Sequence, residues 1–153
     1  MALFDTGRLF ASITTTSSCV TMRPRPNISL RVYPSIAKDV RKRARQTIAA
    51  LRPLIHLEHE IDVQVVPGVV IKMPGGGLGF GVFRFERCSG ITIFIAGMAP
   101  PVDFMKRSDW LSQVREVICH EFVHYEQYRD GKRLSERGVR VRARNLVKLI
   151  GVA

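Results

Sequence analysis

The sequence is short of everything that would staple, anchor or neutralise it. It has three cysteines, Cys19, Cys88 and Cys119, widely spaced and with no Cys-x-x-Cys. That excludes a disulfide framework and fits small apolar residues or free thiols in a reducing compartment such as the cytoplasm. No apolar run approaches the roughly 18 residues that a membrane-spanning helix needs. A secretory signal is missing too, because Thr6-Gly7-Arg8, Ser12 and Thr14 to Ser18 interrupt every apolar start. Acids are scarce: 13 Asp+Glu stand against 24 Lys+Arg, a net charge of +11. A surface of that sign attracts polyanions, whether nucleic acid or anionic lipid, and is equally what a solvated basic face looks like. It carries no information about fold.

What is present is enough for one domain with a real core, at 153 residues and 46% hydrophobic. Residues 1–30 read as a weakly ordered leader ahead of a domain at 31–153. No acid occurs between Asp5 and Asp39, Thr14 to Ser18 is hydroxyl-rich, and Arg23-Pro24-Arg25-Pro26 resists a helix. The leader has the composition of a transit peptide, or Met22 is the true start; both readings stand.

A first helix is expected after Tyr33-Pro34, with Ser35 as N-cap and Pro53 as stop. Ala37, Val40, Ala44, Ile48 and Leu51 give it an inward stripe, leaving Lys38, Arg41, Lys42, Arg43 and Arg45 as a basic face within reach of phosphates. Ile61 to Val65, Val69 to Lys72, Val82 to Glu86 and Ile91 to Ala96 read as strands, the last two a hairpin around Cys88-Ser89-Gly90. The glycine-rich Gly75 to Gly81 is a turn between strands. It lacks a Gly-Lys-Ser/Thr ending and no helix follows, so it is not a phosphate cradle. Ser108 or Asp109 caps a second helix running to Asp130-Gly131, with Leu111, Val114, Ile118, Phe122 and Tyr125 inward. A last helix spans Ser135 to Ile150.

The second helix carries His120-Glu121-Phe122-Val123-His124. Histidines four apart lie on one face of a helix, so their imidazoles converge on one ion with Glu121 beside them as a general base. Two ligands leave zinc short of the three that a catalytic site takes from protein. Glu136 falls on the apolar stripe of the last helix with Val139, Ala143, Leu146 and Ile150, where a carboxylate is costly unless paired or metal-bound. The alternative is that Glu136 sits at a frayed helix start, paired with Arg133 or Arg140. Asp130 is the rival ligand, six residues past His124, but Gln127 continues the helix where a glycine would be needed to turn Asp130 inward. Glu126 points to the far side. The other histidines, His56 and His59, lie in a short link where exposed or hydrogen-bonded rings are the ordinary case.

With those residues in place, the chain resembles the zincin metallopeptidases, in the gluzincin branch, and looks most like the small minimal zinc peptidases of bacteria and their phages. The resemblance runs from about Pro34 to Ile150 in element order and rests on His120, Glu121, His124 and Glu136. It implies an α+β, zincin-like fold: an N-terminal helix, a small twisted, mostly antiparallel sheet, the His-Glu-x-x-His helix, and a C-terminal helix bearing the third ligand. It also implies an edge strand, Phe80 to Phe85 or Ile91 to Ile95, that pairs with extended peptide substrate. The gluzincin segment Asn-Glu-x-x-Ser-Asp is absent, since Arg137-Gly138-Val139-Arg140 follows Glu136. The expected function is zinc-dependent peptide hydrolysis with bound Zn2+ and Glu121 as base. Tyr125, Tyr128, His56, His59 or an arginine would hold the oxyanion. Two other readings remain: a non-catalytic basic module binding nucleic acid or protein on the same scaffold, and an accidental motif whose histidines are packed core.

Overall fold

The computed structural model describes residues 26–86, 90–101 and 103–151. Most of the expected leader, with Cys19 and Met22, lies outside them, as do Cys88 and Ser89. The elements in chain order are β1 (Ile28–Val32), α1 (Lys38–Leu51), β2 (Ile61–Val66), β3 (Ile71–Lys72), β4 (Leu78–Gly79), β5 (Gly81–Glu86), β6 (Gly90–Ala96), α2 (Arg107–Arg129) and α3 (Val139–Ile150). The class is mixed α+β, as expected, but its sheet corrects the expectation. Four strands run in the order β1-β2-β6-β5. β1 pairs parallel with β2, β2 parallel with β6, and only β5 and β6 are antiparallel.

The reason is β1. Ile28, Leu30 and Val32 alternate with Ser29 and Arg31, a period-two run that takes the last residues of the expected leader into the sheet. The sheet therefore takes in Ile28 to Leu30, which the sequence reading leaves in the leader. From β1 the chain crosses through α1 and returns as β2, and a helical crossover delivers a parallel partner. The hairpin expected around Cys88 is seen in its flanks, with Glu86 opposite Gly90. Within Gly75 to Gly81, β4 pairs antiparallel with β3 and runs on toward β5, with no helix after it.

Register aligns the positions of the helix-covered face in rows across the sheet. Ile28, Ile61, Ile91 and Phe85 form one; Leu30, Val63, Ile93 and Phe83 the next; Val32, Val65, Ile95 and Gly81 the third. Burial of Ile61, Val63, Val65, Ile91, Ile93 and Ile95 against helix residues Val40, Ala44, Leu51, Val114, Ile118 and Phe122 makes one core. Each such side chain contributes roughly 1.5–3 kcal/mol of transfer free energy. β5 is the sheet's edge, whereas Ile91 to Ile95, the other strand expected to be an edge, is hydrogen-bonded on both sides.

Three helix starts differ from expectation. The chain turns at Tyr33–Ile36, where the Ile36 N–H donates to the Tyr33 carbonyl at 3.1 Å, so α1 begins at Lys38 and Ser35 is no cap. Ile36 takes the buried place expected of Ala37. α2 begins at Arg107, whose guanidinium donates to both Asp39 oxygens at 2.8 and 2.5 Å and ties the two helix starts together. α3 begins at Val139, after Gly138 in the left-handed region at φ +77°, so 135–138 is a turn. At the far end of α2, Gly131 at φ +65° stops the helix as expected. Its N–H donates to the Tyr128 carbonyl at 3.0 Å and that of Lys132 to Gln127 at 2.8 Å, satisfying the last carbonyls.

Candidate metal centre

The last three turns of α2 are buried nearly all round, between β5 on one side and α3 on the other. That setting turns a helical spacing into a site. His120 and His124 project to one side, their Nε2 atoms 3.2 Å apart. The turn before α3 brings Glu136 across from them: Oε1 stands 3.2 Å from His124 Nε2, and Oε2 stands 3.3 Å from His120 Nε2.

The two imidazoles contact each other, and each contacts a different oxygen of the Glu136 carboxylate, so that one donor atom from each residue lies within 4.8 Å of the others. Ligands about 2.0–2.1 Å from one tetrahedral ion sit about 3.3–3.4 Å from each other, so His120 and His124 are spaced as two such ligands, and two imidazoles with a carboxylate are a donor set of the type that zinc takes. Three protein donors would leave a fourth position for water. The Glu136 side chain is 63% exposed, so the cluster opens to solvent on that side. Glu136 thus lies beside the histidines, but from a different place than the sequence suggests. It stands in the turn, not on the buried stripe of α3.

Burial is the main influence on His120 and pulls its imidazole below its ordinary value, while the Glu136 charge pulls the other way. A ring kept neutral keeps a lone pair for a metal.

Glu121, beside this cluster, packs against the sheet edge. It is 5% exposed, and a Cβ on Gly81 would lie 2.6 Å from its Oε1 and 2.5 Å from Val117. Glycine at position 81 is what lets β5 and the carboxyl come this close. Burial, reinforced by the charge of Glu136, pushes the Glu121 carboxyl up to about 8, against the opposing pull of the Phe83 N–H. No cation pairs with it among the described residues.

Gln127 is the residue that sequence reasoning misses. Its Oε1 accepts the Ser135 N–H at 3.2 Å and its Nε2 donates to the Ser135 carbonyl at 3.1 Å. The same Oε1 lies 3.0 Å from His124 Nδ1, so that nitrogen carries the proton and Nε2 is left free to ligate. One carboxamide fixes both the tautomer of His124 and the turn holding Glu136. The only signal in sequence is a glutamine three residues, one turn, after the second histidine.

The other candidates are engaged elsewhere. Asp130 caps α2 and bonds Arg129 at 2.6 Å and Lys132 at 3.0 Å, which hold its carboxyl below the usual range. Glu126 is clamped by Arg142, as its position on the far side of the helix requires. His56 is exposed, 3.6 Å from Glu58. The His59 ring packs on Tyr125 and Tyr128 at 6.2 and 5.6 Å. Tyr125 is fully buried and accepts the Glu58 N–H at 2.9 Å, so it is a core pin rather than an oxyanion donor. Tyr128 lies half-buried beside Phe83 and Phe85 on the edge strand. Among arginines, Arg140 is the one whose charge is felt at His120. Cys119 is buried with its thiol pushed up to about 12, an inert neighbour of the site.

No family model, curated protein or solved structure matches the chain. The site stands on its own geometry. No helix among the described residues is long and apolar enough to cross a membrane.

Proposed function

We propose that the chain is a small zinc-dependent peptidase of zincin-like build, with His120, His124 and Glu136 as ligands and Glu121 as general base. The observation that carries this reading is the His120–His124–Glu136 cluster, together with a buried, cation-free carboxyl on the neighbouring residue. Packed core histidines would not need one carboxylate in contact with both rings.

Zinc, when bound, supplies Lewis acidity and brings the pKa of a water toward about 7. The chain's own residues do the rest. Glu121 takes the proton of the attacking water and delivers it to the leaving nitrogen, a role for which a raised pKa is suited. The free edge of β5 offers backbone N–H and C=O groups to an extended peptide, which would lie along the strand that Glu121 touches. Half-buried Tyr128 and Phe83, with exposed Phe85, form an apolar shelf next to it. Arg140, whose charge is felt at His120, is the group we assign to steady the oxyanion.

Metal analysis of untagged protein, paired with hydrolysis of an unfolded protein substrate, tests the reading. One zinc per chain and chelator-sensitive cleavage are expected, and His124→Ala should lose both. A chain that takes up no zinc, or cleaves equally well without it, would overturn the assignment.

A further inference from the structure

At the opposite end of α2 from the metal centre, α1 presents Lys38, Arg41, Lys42 and Arg45 at i, i+3, i+4 and i+7, one stripe of the helix. With Pro34 and Ile36 they line a groove of about 620 Å³. None of the four has an ion-pair partner among the described residues. The single acid of α1, Asp39, is taken by both nitrogens of the Arg107 fork. Arg41 adds a buried Nε that bonds nothing. Like charges three and four residues apart repel and weaken a helix, and here no local acid offsets them.

From this we infer that the α1 stripe is a phosphate-backbone docking groove for nucleic acid, separate from the peptidase site. Thirteen residue steps of α2 separate Arg107 from His120, roughly 20 Å at the rise of a helix, so both sites can be occupied at once. Charge complementarity names a polyanion, and the surroundings narrow it. Val40, Ala44, Ile48 and Leu51, the apolar side of α1, are buried in the core, so the helix has no free stripe to insert into lipid. A concave row of arginine and lysine instead matches a phosphate strand.

The test is anisotropy of a labelled 20-nucleotide single strand titrated with the full chain, in chelator, across a series of KCl concentrations. Four phosphate contacts predict a log–log salt slope of about −3. Lys38→Gln with Lys42→Gln should reduce the slope by about two contacts' worth. Lys38→Glu, Lys42→Glu and Arg45→Glu together should weaken binding at least about tenfold at low salt. A control with the same charge change on α3 and the turn before it, Arg137→Glu, Arg144→Glu and Lys148→Glu, should stay within about twofold of the parent. Far-UV circular dichroism checks that each variant is folded. Equal losses in both triples would mean that net charge alone binds, and would overturn the groove. So would binding to anionic vesicles in place of DNA, competition by polyglutamate as effective per charge, or no binding at 50 mM salt. Because chelator is present throughout, the result is independent of whether zinc is bound.

Discussion

Glu121 and Glu126 are five residues apart on α2, both buried, and differ in one respect: only Glu126 has a counter-ion. Arg142 of α3 donates to its two oxygens at 2.5 and 2.8 Å and joins the helices. Glu121 has only the Phe83 N–H and the nearby negative charge of Glu136, and its carboxyl rises to about 8. A buried carboxylate given an arginine becomes a brace. One denied a cation is left holding a proton that it can exchange. The far side of α2 builds, and the near side is kept under electrostatic tension.

Four changes would sharpen or break that contrast. The largest effect is expected from Glu121→Gln, which keeps shape but removes the base. Peptide hydrolysis should fall about 10²–10⁴-fold while zinc content stays at the parental level. Undiminished activity in that variant would end the division of labour between the two glutamates. Next is Gln127→Ala, expected to lower zinc affinity about 10–100-fold in a chelator competition. Gln127→Glu should recover part of this, since it still accepts from His124 but cannot donate to Ser135. No change in affinity would mean that the turn holds Glu136 unaided.

Arg142→Ala should destabilise the fold by about 1–3 kcal/mol in urea unfolding, because the Glu126 carboxylate stays behind without its partner. The partly exposed arginine keeps the figure below that of a fully buried pair. Glu126→Gln with Arg142→Gln should restore part of the loss. The smallest effect is one of pH. Glu121 titrates higher folded than unfolded, so between about 4.5 and 8 the metal-free native state holds a proton that the unfolded chain has released. Stability should therefore decline as pH rises through that window. Glu121→Gln should remove this decline, measurable as a flatter melting temperature from pH 6 to 8.

Much of the site was legible because helical geometry is local. His120, Glu121 and His124 need only a period of 3.6 residues to be placed. For Glu136 the sequence points to the stripe of a longer α3, whereas it stands in a turn that Gly138 ends and that Gln127, eight residues before Ser135, holds. No periodicity reports a hydrogen bond between a helix and a turn, so Gln127 stayed invisible. In the sheet, alternation located β2, β5 and β6 but carries no direction for their partners. β1 was lost behind Pro24, Pro26 and a hydroxyl-rich stretch, and with it went the parallel pairing that α1 enforces.

The turn at Gly131 has a last consequence, for assembly. All three donors fall within the seventeen residues from His120 to Glu136, whereas β2 meets β1 and β6 across gaps of about thirty. Short-range closure is quick and long-range pairing slow. An ion captured by this clasp would therefore act as a seed on which the later sheet condenses, and refolding should run faster with zinc in the buffer than with chelator.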